Sequence, residues 1–285
     1  MRILLTGRNG QVGWELARLL PALGEVRATD RTELDLASAD SIRRAVRDTK
    51  PDVIVNAAAY TAVDKAESEP ELAMRINGEA PGVLAEEAKR LGALLVHYST
   101  DYVFDGEKTG AYVESDPTGP LSAYGRSKLA GEQAIAASGC RHLIFRTCWV
   151  YGPRGKNFLL TILKAARERS ELKVVDDQFG APTSSAAIAA ATRQALEKGG
   201  GEGIYHLSAA GRTSWHGFAE AIVRAAGLAT PVKAIPTSEY PTPARRPRNS
   251  VLDNSKLKKE FGISVPSWQE LLKECVGASQ ARRDI

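Results

Sequence analysis

Short runs of Val, Ile and Leu alternate along this chain with longer stretches whose apolar positions recur every three or four residues. The first run, Arg2–Thr6, passes into Gly7-Arg8-Asn9-Gly10-Gln11-Val12-Gly13 and then into a stretch carrying Trp14, Leu16, Leu19 and Leu20. Period-two and continuous apolar runs predict further strands over Glu25–Thr29, Asp52–Asn56, Ala93–Tyr98 running on to Thr100, and His142–Thr147. Helical spacing covers Pro70–Leu91 and Ala123–Ser138. Strands that alternate with helices in this way form a parallel sheet covered on both faces.

After Tyr151-Gly152-Pro153 the pattern becomes mixed. Helices are predicted over Asn157–Ser170 and Ser185–Leu196, and strands over Lys173–Asp176 and Gly203–Leu207, with Gly199-Gly200-Gly201 as a turn. A proline-rich run, Pro236–Pro247, precedes Asp253-Asn254-Ser255, which caps a helix through Phe261; Ser267 caps the last helix. The reading is an α/β fold: a Rossmann-type doubly wound parallel sheet with a smaller C-terminal α/β substrate domain.

The glycine turn between the first strand and the first helix has the spacing G-x-x-G-x-x-G. Glycine suits a tight turn, a close approach to pyrophosphate and the packing of helix on strand, while the helix N-terminus offers N–H groups to phosphates. Gly7, Asn9, Gly10, Gln11, Val12 and Gly13 are therefore candidate cofactor contacts. Asp30 ends the second strand, where a carboxylate can accept hydrogen bonds from ribose hydroxyls and favours NADH. Arg31 follows, and a guanidinium there can pair with a 2′-phosphate, so NADPH is also allowed. Asp35 and Leu36 are placed either as a wall around the adenine or as a cap before Ser38. On this reading residues 1–152 form a dinucleotide-binding domain, with a return excursion around 174–207, and 153–285 bind mainly substrate.

A second signal lies further on. Ser99-Thr100-Asp101 is followed by Tyr124-Gly125-Arg126-Ser127-Lys128, and on a helix residues 124 and 128 share one face. An ammonium beside the phenol is expected to bring its pKa down towards neutrality and make it a usable general acid. Both segments are placed at the carboxyl ends of parallel strands, where ligands bind. This is a pattern for carbonyl reduction, with Thr100, Tyr124 and Lys128 as candidate catalytic residues.

Composition narrows the partners. The 285 residues are 43% hydrophobic and 25% charged, enough for a full core, and carry a net charge of +4 with Lys and Arg dispersed. A nucleic-acid partner is not expected, whereas an anionic small substrate is. Cys140, Cys148 and Cys275 are odd in number and widely spaced, which implies a reducing, cytoplasmic setting. No signal peptide or membrane span is expected. His97, His142, His206 and His216 lack metal-ligand spacing and are read as packing or capping residues.

These motifs, together with V-I-V-N-A-A-A-Y-T-A-V-D-K (Val53–Lys65), Y-G-R-S-K-L-A-G-E (Tyr124–Glu132), F-R-T-C-W-V-Y (Phe145–Tyr151), D-Q-F-G-A-P-T (Asp177–Thr183) and Y-P-T-P-A-R-R-P-R-N-S (Tyr240–Ser250), run over nearly the whole chain. In this set the chain resembles the extended short-chain dehydrogenase/reductase family, and within it the reductases of thymidine diphosphate-linked 4-keto sugars. The resemblance implies that Tyr124 donates a proton to the sugar carbonyl, that Lys128 tunes it and binds the nicotinamide ribose, and that Thr100 polarises the carbonyl. It also implies Ala57, Ala58, Ala59 and Thr61 along the cofactor. Val63, Asp101 and Trp149 would touch the sugar, the last through a flat indole face, and Asn157, Arg246 and Asn249 the thymidine diphosphate. The alternatives are an NAD-dependent nucleotide-sugar epimerase and a non-catalytic regulatory subunit of the methionine adenosyltransferase type. A 4,6-dehydratase needs an Asp-Glu pair after the threonine, and here Asp101 is followed by Tyr102. A homodimer fits the resemblance. No metal is expected: Glu15 is present, but Ser184-Ser185-Ala186 offers no second carboxylate.

Overall fold

A computed structural model describes residues 1–281. Strands β1 (Arg2–Thr6), β2 (Glu25–Thr29), β3 (Val53–Asn56), β4 (Leu94–Thr100) and β5 (His142–Thr147) form one sheet with the strand Gly203–His206. The order is Gly203–His206, β5, β4, β3, β1, β2, and every pairing is parallel. The chain direction across the sheet reverses between β1 and β3, which opens a crevice at their carboxyl ends.

Successive residues of each strand face opposite sides, and the core divides accordingly. Ile3, Leu5, Val55, Val96 and Phe145 pack with α1 (Gln11–Leu19), against which the later helix Ser185–Lys198 also lies. Leu4, Ile54, Leu95 and Ile144 face α2 (Ala39–Thr49) and the helices Ala80–Leu91 and Ala123–Ser138. A separate apolar cluster, with Tyr151, Leu159, Phe218 and Leu271 at its centre, forms the core of the C-terminal lobe.

The stretch expected as one helix from Pro70 to Leu91 is divided. It runs as α3 (Pro70–Met74), a wider π turn over Arg75–Glu79, and α4 (Ala80–Leu91). The cause is Pro81: having no N–H, it cannot bond the Asn77 carbonyl four residues back, so the helix widens there. The π turn has a use. Asn77 Nδ2 donates to the Tyr60 carbonyl at 2.9 Å and to Ser127 Oγ at 3.1 Å, and Asn77 Oδ1 accepts from the Tyr60 N–H at 2.8 Å.

Helix α5 (Ala123–Ser138) starts at Ser122, whose hydroxyl accepts from the Gly125 N–H, and ends at Gly139 in the left-handed conformation. Its buried face includes Gly131, where a Cβ would stand 2.2 Å from the Asn77 carbonyl oxygen. Only glycine lets α5 approach the π turn this closely. On the same face Glu132 receives two hydrogen bonds from Arg146 of β5, at 2.9 and 2.6 Å, with both side chains 3% exposed.

The excursion back to the sheet differs from the expected one. The strand Leu172–Val175 pairs with Val232–Ile235 in the C-terminal lobe, so only the helix Ser185–Lys198 and the strand Gly203–His206 return. The last helix begins after Ser267, whose N–H and hydroxyl both donate to Glu270. No helix among the described residues is long and apolar enough to cross a membrane.

The buried Glu132–Arg146 pair has a stability consequence. Glu132→Ala leaves a guanidinium buried without its partner and is expected to destabilise the fold by about 3–5 kcal/mol. Replacing both residues by apolar ones of similar size is expected to cost much less. Urea unfolding of the single and double variants checks both; equal losses would show that the pair contributes no charge-specific stability.

Candidate active site

The glycine turn joins β1 to α1. Gly7 has φ +75°, and a Cβ there would lie 2.8 Å from the Ala58 backbone nitrogen, so the turn presses directly on the segment after β3. No side chain caps α1, which leaves the N–H groups of its first turn to a phosphate. Gln11, at that turn, accepts a hydrogen bond from Asn157 Nδ2 through its side-chain oxygen. The cradle fits a dinucleotide pyrophosphate.

Asp30 stands at the end of β2 beside this turn. Thr32 donates to it through both hydroxyl and N–H, and Arg8 Nη2 approaches to 2.7 Å; these bonds hold its carboxyl down at about 2. Asn9 Nδ2 lies 3.5 Å from the same carboxylate. Arg31 is 77% exposed and only grazes Asp35, at 3.7 Å. Arg8, rather than Arg31, is thus the cation in contact with Asp30. Its position inside the glycine turn was the available signal. Asp35 closes a local turn on the Ala37 N–H, and Leu36 is buried in the core against α2, so the wall expected around the adenine is partly a packing element.

Ala57, Ala58 and Ala59 follow β3 and are half-buried, with the Ala58 N–H donating to Thr6 Oγ1 at 3.2 Å. Thr61 is exposed and Val63 half-buried on the loop that follows. Asp64, next to Val63, receives Arg246 at 3.0 and 2.7 Å.

At the end of β4, Thr100 donates to Asp101 Oδ1 at 3.0 Å and accepts from the Tyr102 N–H. Burial pushes the Asp101 carboxyl up to about 7, with the Ser250 and Thr100 hydroxyls offsetting it in part. The structure corrects one expectation about Tyr124. Burial, then the adjacent Asp101 carboxyl, push its phenol above the usual tyrosine range, and only the Thr100 hydroxyl acts the other way. Lys128 does not lower it because its Nζ points into the sheet, donating to the Tyr98 carbonyl at 2.6 Å and lying 3.3 Å from His97 Nε2. Desolvation brings Lys128, 2% exposed, down to about 8.

Four expected substrate contacts are already engaged within the chain. Trp149, at φ +48°, stacks on Trp215 with centroids 3.5 Å apart, and the Gly180 backbone lies against its ring, so its indole face is covered. Asn157 caps the helix Phe158–Glu168, accepting from the Leu160 N–H, and its amide donates to Gln11, Gly152 and Arg154. The Asn249 amide ties the Lys108 and Gly110 carbonyls together. Arg246 is committed to Asp64, Thr242 and Ala244, although it remains close to Tyr102, whose ring meets Tyr124 edge-on at 5.7 Å. Among the described residues no group of three or more His, Cys, Asp or Glu could hold a metal ion.

The model of the RmlD substrate binding domain family matches residues 1–281. The chain is 56% identical over 292 aligned residues to the dTDP-4-dehydrorhamnose reductase of Burkholderia thailandensis, covering 97% of this chain and 98% of that one. It belongs to the dTDP-4-dehydrorhamnose reductase family. Two solved members of that family superpose closely. A reductase from Clostridium acetobutylicum gives a TM-score of 0.95 at 40% identity, covering 98% of this chain and 100% of its own. One from Bacillus anthracis, solved in complex with NADP, gives 0.94 at 35% identity, covering 97% and 99%.

The raised carboxyl of Asp101 sets a pH dependence. Its folded pKa of about 7 lies above the ordinary value, so the folded state holds a proton that the unfolded state has released. Stability therefore falls as pH rises from about 4 to about 7 and then levels. Asp101→Asn removes this loss, and the stability difference between variant and parent is expected to grow in the variant's favour by roughly 1–3 kcal/mol from pH 5 to pH 8. Urea unfolding at the two pH values checks it; a difference independent of pH contradicts a raised carboxyl.

Proposed function

We propose that this chain reduces the C4 keto group of dTDP-4-dehydro-L-rhamnose to give dTDP-L-rhamnose, with NADH or NADPH as the reductant. The observation that carries the reading is the hydrogen bond between the Thr100 hydroxyl and the Tyr124 phenol at the end of β4, in a chain of this family whose first helix is left uncapped behind a glycine turn. When bound, the dihydronicotinamide supplies hydride to C4. Tyr124 keeps its proton in the resting protein, because burial and Asp101 disfavour the phenolate, and gives it to the carbonyl oxygen as negative charge develops there. Thr100 is the second hydroxyl donor to that oxygen, and Lys128, which bonds the Tyr98 carbonyl in the free protein, would turn an N–H to the nicotinamide ribose when the cofactor is bound. The sheet lobe takes the cofactor. The C-terminal lobe, joined to it through Arg246–Asp64 and Asn157–Gln11, takes the nucleotide sugar. The nucleotide sugar is the partner, the protein works in the cytoplasm, and a homodimer is its assembly.

Asp30 and Arg8 support use of both cofactors. The carboxylate accepts from an unmodified ribose, whereas the Arg8 fork can leave Asp30 for a 2′-phosphate. Asp30→Ala is expected to move the NADPH/NADH ratio of kcat/KM towards NADPH by about tenfold, the worth of ~1.4 kcal/mol. Steady-state kinetics with each cofactor checks this, and an unchanged ratio removes Asp30 from cofactor selection.

Spectrophotometric NAD(P)H oxidation with dTDP-4-dehydro-L-rhamnose, beside UDP- and GDP-linked keto sugars, tests the substrate. The dTDP sugar is expected to be preferred, and turnover confined to another nucleotide would overturn the assignment. Tyr124→Phe is expected to lower kcat by about 10²-fold or more while cofactor affinity is kept. A rate within a few-fold of the parent would remove Tyr124 as proton donor.

A further inference from the structure

The segment after β3 makes a 3₁₀ turn over Lys65–Glu67, and the carboxylates at its two ends reach in different directions. Asp64 takes both terminal nitrogens of Arg246, at 3.0 and 2.7 Å, and also accepts from the Ala244 N–H. Glu67 Oε1 accepts from the Ala123 N–H at 2.7 Å. Ala123 is the first residue of α5 and Tyr124 the second, so a carboxylate 56 residues upstream holds the end of the helix on which the expected proton donor sits.

Helix α5 needs an acceptor at this end. The N–H groups of a first turn have no partner within their helix, and the positive end of the helix dipole favours an anion. The Ser122 hydroxyl satisfies the Gly125 N–H, and the first turn contains no acidic residue. Glu67 supplies both a further acceptor and the negative charge. Packing fixes its approach: Ala66, fully buried in the middle of the turn, shares one apolar cluster with Ala123, Tyr60 and Tyr124. The turn is also braced from behind. Lys65 pairs with Glu69 at 2.7 Å, and Glu69 accepts from the hydroxyl of Tyr60, the residue whose backbone Asn77 grips. Arg126 stands 4.0 Å from Glu67 Oε2 with its side chain 54% exposed, and a pair of that kind adds little.

We propose that this turn is the bracket that sets the proton donor against the proline-rich segment carrying Arg246: Glu67 is a positioning residue for Tyr124, acting through the first N–H of α5, and Asp64 is a positioning residue for Arg246. The phenol expected at the carbonyl and the guanidinium expected at the diphosphate are thereby held at one spacing. Tyr124 gives its proton only as the reaction proceeds, so loosening its helix lowers kcat. Arg246 would hold the nucleotide end before and during the reaction, so loosening it raises KM. This division of roles rests on the reductase reading, whereas the Glu67–Ala123 contact does not.

Amide hydrogen exchange followed by NMR reads the contact without turnover. The Ala123 N–H is expected to be protected in the parent and in Glu67→Gln, whose side-chain oxygen still accepts, and to exchange about tenfold faster or more in Glu67→Ala. An Ala123 N–H that exchanges at the unprotected rate in the parent, or equally fast in the parent and Glu67→Ala, overturns the proposal whatever the rates of turnover. In steady-state kinetics with the dTDP-linked keto sugar, Glu67→Ala is expected to lose about tenfold in kcat with sugar KM within about twofold of the parent, and Glu67→Gln to recover most of that loss. Asp64→Ala is expected to do the reverse, raising sugar KM by about tenfold with kcat within about threefold. If both alanine variants change kcat and KM in the same proportion, the fold has loosened generally and the division of roles is overturned. It is overturned as well if Arg126→Ala matches Glu67→Ala, because the surface ion pair and not the helix bond would then place Tyr124. A parent without turnover on any keto sugar would instead overturn the reductase reading, leaving the Glu67 contact to be decided by exchange.

Discussion

Helix α5 can serve the site only because it lies so close to the π turn and the end of β4. The contact of Gly131 with the Asn77 carbonyl sets that distance, and Asn77 in turn grips both Ser127 of α5 and the Tyr60 backbone. Tyr124, Lys128 and the loop after β3 are therefore placed by one set of contacts. A bulkier residue at 131 would push α5, the π turn and the loop after β3 apart together.

That closeness determines the electrostatics. Burial raises the Tyr124 phenol and the Asp101 carboxyl and lowers Lys128, so each is biased towards its uncharged form. The resting site holds its protons on the donors. A phenol that resists ionisation in the free protein is a poor spontaneous acid, but charge building on a substrate oxygen beside Thr100 changes the balance at the moment of transfer. Simple lowering of the phenol by its lysine, the expectation from Tyr-x-x-x-Lys alone, does not describe this arrangement.

Much of the fold was legible because strand and helix periods are local. The five strands from Arg2 to Thr147 and helix α5 follow directly from the apolar pattern, and the glycine spacing located the turn between β1 and α1. The π turn was hidden in a helical pattern that a single proline interrupts. The strand partner of Leu172–Val175 lies some 60 residues on, at Val232–Ile235, and no local signal names it. At the candidate site, residue type singled out Thr100, Tyr124 and Lys128 as candidates. It did not reveal that Trp149 stacks on Trp215, that Arg246 is committed to Asp64, or that Glu67 meets the start of α5. Each depends on which side chain the fold brings opposite.

The central claim is that hydride from the nicotinamide goes to C4 of the sugar while this chain supplies the proton. The most direct measurement uses NADPH carrying deuterium at the transferring position of C4, with dTDP-4-dehydro-L-rhamnose as acceptor and product analysis by NMR and mass spectrometry. One deuterium bound at C4 of dTDP-L-rhamnose, with none released to solvent, is the predicted result. A product without deuterium at C4, or deuterium retained on the cofactor while the sugar is altered elsewhere, would contradict the account.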